Sequence, residues 1–280
     1  MAARLPTPLL ERIAECPGDP IAIALCPDFQ RGQWRWKRLA DHVMDWLPDV
    51  AFRPKERRVL LYEPRKQLAQ ACRRFFDVDD PEKRGEIGEV LLHAVCRQEF
   101  GTIPFIARLF YKMRTNDSVT SVDMAHLLYD EDGDDIELWL GEAKLYDDID
   151  QAKFRAIQSI RALWDPDFLE EMKALVGPKV EKSAPYAERV RWLFADETSL
   201  DHLVDRLVIP ICIAVTHPLT QAASRRTAEY VSDVYAELEK LREYLQNRVP
   251  QGVTIVCVFV PMDCKEKLEN EVNRQVQSYL

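Results

Sequence analysis

Two apolar runs narrow what this chain can fold into. DRLVIPICIAVTH (205–217) and GVTIVCVFVP (252–261) are hydrophobic at nearly every position, without the alternation of a strand that has one wet face. Strands of that kind are covered on both sides. A long amphipathic helix is expected between them, over 220–247, and a last helix after them. Buried strands alternating with helices define an α/β architecture around a mixed sheet flanked by helices.

Upstream, RGEIGEVLLHAVCRQEF (84–100) predicts a helix with Ile87, Val90, Leu91, Ala94 and Val95 on one stripe, ended by Gly101. Gly85 and Gly88 each cost about 1 kcal/mol inside a helix relative to alanine, which points to another backbone close to its first turn. TIPFIARLFYK (102–112) reads as a strand and KMRTNDSVTS (112–121) as a polar loop. After Tyr146, DDID starts a helix that AKFRAIQSIRALW carries to Trp164, and one or two more fill 165–205. Residues 1–78 form an N-terminal extension. Prolines break its first third, a helix is expected over Trp36–Trp46, and RRVLLYEP (57–64) has the flavour of a strand. FDVDDPEKR marks the boundary with a second unit, 79–280.

The chemistry concentrates in SVDMAHLLYDEDGDDIELWLGEAKLY (121–146). Asp132-Gly133 favours a type I′ turn, since both central residues there need positive φ. A two-residue loop at that point sets Asp123 opposite Glu142 and Ser121 opposite Lys144. Strand periodicity then puts Glu142 and Lys144 on one face and Trp139, Gly141, Ala143 and Leu145 on the other. Opposed carboxylates repel unless something offsets their charge. Mg²⁺ does so, taking carboxylate oxygens while keeping waters and room for a phosphate. A lysine alongside can hold the attacking water or neutralise charge on phosphorus. The alternative is a surface ion pair between Lys144 and Glu142. His126 is expected to face away from this site, and His93 is expected to be structural or to border it. DEDGDD lacks the spacing of a calcium loop and reads as a solvated turn.

Charge bounds the partners. The chain carries a formal −9, which argues against general coating of nucleic acid. Twelve Arg or Lys face five acids between Arg31 and Arg74, while 123–150 holds eleven acids and one lysine. RGQWRWKR (31–38) interleaves arginines with Trp34 and Trp36. That pattern could stack on bases or grip a phosphate backbone, but the tryptophans are expected in a core or against a protein partner, with solvated basic neighbours. Seven scattered cysteines without a CxxC pair read as reduced core thiols. With no long apolar run and no leader-like start, the expectation is a cytoplasmic protein with no membrane contact.

The order of helix, strand, strand with Asp123, strand with Glu142-Ala143-Lys144, helix and later strand resembles the PD-(D/E)XK nuclease core over residues 84–217. Val122-Asp123 stands where that superfamily often has Pro-Asp. More closely, RGEIGEVLLHAV, KMRTNDSVTSVDMAH and ELWLGEAKLYDD are similar to the HamA family of the Hachiman anti-phage defence system. That resemblance implies a restriction-endonuclease-like core and Mg²⁺, with Mn²⁺ as a substitute, held by Asp123, Glu142 and the main chain of Ala143. It also implies DNA cleavage beside a HamB-like helicase, with DNA engaged through the complex. An acid on the first helix often completes such sites; Glu86 and Glu89 both qualify, and Glu89 is the choice. Gln158 or Lys153 on the second helix are further candidates for assistance. A catalytically silent subunit docking a helicase, or an RNase of the same fold, are the rival functions.

Overall fold

A computed structural model describes residues 5–59, 62–76, 85–105, 122–129, 136–176 and 186–280. Its centre is a seven-stranded mixed sheet in the order β1-β2-β9-β8-β7-β6-β5. The two apolar runs form β8 (Leu207–Thr216) and β9 (Thr254–Met262), buried along nearly their whole length. They pair in parallel with each other. β8 pairs in parallel with β7 (Ile136–Tyr146), and β9 with β2 (Ile21–Cys26). Antiparallel partners close both edges: β1 (Glu11–Cys16) on β2, and β6 (Met124–Tyr129) with the short β5 (Ile103–Pro104) beyond β7. The segment ahead of residue 79 therefore supplies two strands of the same sheet.

Helices cover both faces. α4 (Gly85–Glu99) packs on β7 and β8, with the predicted stripe at 0–1% exposure. α1 (Trp36–Ala51) lies over it, so α4 is buried on almost every side. Gly88 is the close approach: a Cβ there would sit 3.1 Å from that of Ala143 and 3.6 Å from that of Leu145. Gly85 has nothing within 4 Å, so its glycine has no packing role. Gly101 ends the helix at φ 69°. The opposite face carries α5 (Ile149–Leu163) on β7 and β8, and α10 (Ala228–Gln246) on β1 and β2. α5 starts where Asp148 accepts the Gln151 amide.

Several expectations change. The strand read at 57–64 is instead the end of α2 (Pro54–Val59) and the start of α3 (Pro64–Phe75). Each helix has proline at its first position, where the missing N–H costs nothing, and Glu56 accepts the Arg53 amide at 3.0 Å. α1 runs past Trp46, with Pro48 in its last turns. The helix expected over 220–247 divides into α9 (Pro218–Ala222) and α10, which Thr227 caps by accepting the Tyr230 amide at 3.1 Å. α6 (Pro166–Val176), α7 (Ala187–Leu193) and α8 (Leu200–Val204) fill 165–205, and α11 (Lys265–Gln277) packs on α1. Most of the strand read at 102–112, the loop after it and the Asp132-Gly133 turn lie outside the described residues. All seven cysteines are free thiols, six of them buried. No helix among the described residues is long and apolar enough to cross a membrane.

Candidate active site

The hairpin pairs in the register expected from its turn. Met124 aligns with Gly141 and His126 with Trp139, and one step beyond the ladder the Asp123 amide donates to the Gly141 carbonyl at 3.1 Å. That register brings Asp123 beside Glu142. Asp123 Oδ2 accepts the Ala143 amide at 2.9 Å, which locks its carboxylate against β7. Glu142 Oε2 accepts from Lys144 Nζ at 2.7 Å and from Ser159 Oγ of α5 at 3.2 Å. Both contacts fall on one oxygen and leave Oε1 for a ligand.

Side-chain alternation along β7 explains the arrangement. Gly141, Ala143 and Leu145 face α4, while Glu142 and Lys144 face α5. The site thus sits between the sheet and α5, with the Glu142 side chain 8% and the Lys144 side chain 12% exposed. Burial pushes the Glu142 carboxyl up to about 7; the negative charge of Asp123 adds to this, and Lys144 opposes it. A buried carboxylate beside a half-buried one, with a lysine on the first, matches the donor set a hard divalent cation takes.

The structure does not bring Glu89 into this cluster. Glu86 and Glu89 are buried on α4, whose contact with β7 runs through Gly88 on the face opposite Glu142. Among the described residues no three His, Cys, Asp or Glu side chains stand together as a metal-binding group. An ion here would rest on Asp123, Glu142 and main-chain oxygen, with water and phosphate completing its shell. Gln158 is exposed and accepts from Arg155 at 3.0 Å, and Lys153 pairs with Asp150 at 2.6 Å; neither reaches the site. Ser159 does, and the sequence reading missed it. Its only signal was a hydroxyl next to the apolar stripe Ala152, Ala156, Ile160 and Leu163 of α5.

The histidines are structural. Asp49 Oδ2 meets His93 Nε2 at 2.8 Å, His93 Nδ1 meets His126 Nε2 at 2.9 Å, and His126 Nδ1 meets Thr102 Oγ1 at 2.7 Å. An ionised Asp49 accepts a hydrogen bond from Nε2–H of His93, so each neutral ring donates through Nε2 and accepts at Nδ1, with the Thr102 hydroxyl as the last donor. Burial holds both rings far below their ordinary pKa, and Arg97 adds to this. His202 stacks beside Trp192 at 5.6 Å, and His217 accepts the Leu219 amide at the start of α9.

Comparisons with known proteins identify the family. Anti-bacteriophage protein A of Escherichia coli (strain K12) is 30% identical over 125 residues, a match covering 43% of this chain and 22% of that protein. The sequence profile of the HamA family matches residues 11–276, which span β1 to α11 and include Asp123, Glu142 and Lys144. The chain belongs to the HamA family.

Proposed function

We propose that this chain is a metal-dependent phosphodiesterase that cuts DNA in anti-phage defence, acting beside a helicase partner. One observation carries the reading: register and strand periodicity place Asp123, Glu142 and Lys144 together on one face of the β6–β7 hairpin. Family membership and the name of the relative support the biological setting.

Asp123, Glu142 and the Ala143 carbonyl would hold Mg²⁺, which when bound acidifies a water and offsets phosphate charge. Asp123 is held in place for this by the Ala143 amide, and Glu142 by Ser159 and Lys144. Among the described residues, Lys144 is the cation that pairs with Glu142. Its ammonium, 2.7 Å from Glu142, can donate to the attacking water or to a phosphate oxygen as negative charge builds there. The acidic residues around the hairpin fit a catalytic subunit that receives DNA through a partner, since phosphate binding rests on cations.

The test is cleavage of labelled DNA by the complex with its helicase in Mg²⁺, with RNA run alongside. Glu142→Ala should abolish cutting and Lys144→Ala should lower it by about 10²–10³-fold, with circular dichroism showing that both variants still fold. Cleavage retained by both variants would overturn the assignment, and cleavage of RNA alone would reassign the substrate.

A further inference from the structure

The carboxyl end of β2 carries a cationic cleft. Past Cys26 the chain leaves the sheet as a small hairpin, β3 (Phe29–Gln30) and β4 (Gln33–Trp34), whose turn takes left-handed backbone at Arg31 (φ 52°) and Gly32 (φ 77°). Phe29, edge-on to Tyr230 of α10 with ring centres 5.5 Å apart, pins the hairpin to the molecule, as does Trp34 at 2% exposure. Between the hairpin and the first turn of α1 lies a cleft of about 250 Å³, lined by Arg31, Arg35, Trp36, Lys37, Arg38 and two glutamines.

Its cations are partly neutralised: the charge of Glu271 on α11 acts on Lys37. Arg38 pairs with Asp41 at 3.1 Å, in the open. Among the described residues Arg31, Arg35 and Lys37 make no ion pair. Arg35 is anchored through Nη1 on the Pro27 carbonyl at 3.1 Å, and its buried Nε has no hydrogen-bond partner among the described residues. Lys37 lies 5.0 Å over the Trp36 ring. The first turn of α1 holds no acid and its N-terminus has no side-chain cap, so its amides add to the positive field.

Strand alignment locates this cleft relative to the active site. Lys144 lies level with Ile213, Ile213 with Phe259, and Phe259 with Ala24. Cleft and site therefore share the carboxyl edge of the parallel strands, three strand spacings apart. At about 4.8 Å per spacing that is on the order of 15–20 Å, roughly half of the ~34 Å turn of a DNA duplex. The β7 end of the edge is acidic, with Asp147, Asp148 and Asp150, and repels phosphate. A polyanion reaching Asp123 and Glu142 needs an anchor elsewhere, and Arg31, Arg35, Lys37 and Arg38 stand together at β2.

We propose that this cleft grips the phosphodiester backbone of the DNA that the site cuts, so that the strand crosses the ends of β2, β9 and β8 to reach β7. Trp36 offers a stacking surface beside the cations, as single-strand-binding grooves do. The proposal rests on reading Asp123, Glu142 and Lys144 as a phosphodiesterase site.

The experiment measures binding of the full chain to a fluorescein-labelled duplex of about 20 base pairs and to its single strand. Anisotropy is followed across NaCl in EDTA, where nothing is cut. Lys37→Ala/Arg38→Ala, both exposed on a helix, should weaken binding about tenfold or more and reduce the salt slope by about 2; Arg31→Gly, which suits the left-handed turn, should reduce it by about 1. Lys240→Ala/Arg248→Ala, on and just beyond α10, should change neither. Unchanged affinity and slope in the cleft variants, or an equal loss in the α10 pair, would overturn the proposal. So would cleft variants that keep DNA binding but lose association with the helicase, since the cleft would then be a protein dock. A wild-type chain that binds through the cleft yet, assembled with its helicase, cuts neither DNA nor RNA in Mg²⁺ would sink the phosphodiesterase reading and leave the cleft standing.

Discussion

Glu142 stands under four constraints at once: burial and Asp123 work against its charge, while Lys144 and Ser159 hold it. The two supports differ in kind. Lys144 is a buried cation that can also meet charge developing on the substrate, so Lys144→Ala should lower kcat by about 10²–10³-fold. Ser159 only orients the carboxylate. Losing its hydrogen bond to a charged group costs about 1.5 kcal/mol, so Ser159→Ala should lower the rate by about tenfold. Steady-state cleavage of labelled duplex in Mg²⁺ checks the ranking, and a Ser159→Ala loss equal to that of Lys144→Ala would contradict it. Asp123, Glu142 and Lys144 were legible in the sequence because a strand's period of two and a two-residue turn leave one register. Ser159 was not, because the face a helix turns to a sheet depends on tertiary packing. The same reason separates Glu89 from the cluster: Gly85 and Gly88 signalled a close approach at the first turn, but not that Gly88 would meet β7 on the face opposite Glu142.

At the scale of elements, β7 owes its position to small residues. A Cβ at Gly141 would lie 2.8 Å from Leu92 Cδ2, 3.0 Å from Pro210 Cγ and 3.1 Å from Met124 Cε. Leu92 and Met124 can turn aside, but the ring of Pro210 sits in β8 and cannot. Gly141→Ala should therefore destabilise by about 1–3 kcal/mol through overpacking, read from urea unfolding midpoints. It should also cut activity more than the stability loss explains, because Glu142 is the next residue. An Ala variant as stable as wild type would show that β7 and β8 have slack. The strands were legible where burial leaves an unbroken apolar run, as in β8 and β9. IALC of β2 is such a run too, but prolines on either side masked it, and its partner β9 lies more than two hundred residues on. The segment 57–64 looked like a strand from its β-branched and aromatic residues. Tertiary pairing decided otherwise, since Arg57 on α2 reaches the buried Asp49 of α1.

For the molecule as a whole, Asp49 ties the early helices to the sheet. Its carboxylate meets Arg57 of α2, Arg97 and His93 of α4 and, through His126, β6. Removing one partner of a buried charge cluster leaves the others uncompensated, which costs about 3–5 kcal/mol. Asp49→Ala should lower stability by that amount in urea unfolding, and a loss under 1 kcal/mol would show that the arginines find other acceptors. His42, on the same helix, sets a pH dependence that can be isolated. It is 3% exposed, its Nε2 has no hydrogen-bond partner among the described residues, and burial alone lowers its pKa to about 4. In the unfolded chain the ring titrates near 6.5. The folded state therefore resists a proton that the unfolded state accepts, so this stability is whole above about pH 6.5 and drains as pH falls toward 4. At pH 5 the deficit is ~2 kcal/mol, from 1.36 kcal/mol per unit. His42→Leu keeps an apolar group of similar bulk and removes the titration. Relative to wild type, its unfolding free energy should rise by ~2 kcal/mol between pH 7.5 and pH 5. A difference that stays constant with pH would mean that His42 is already protonated, or solvated, in the folded protein.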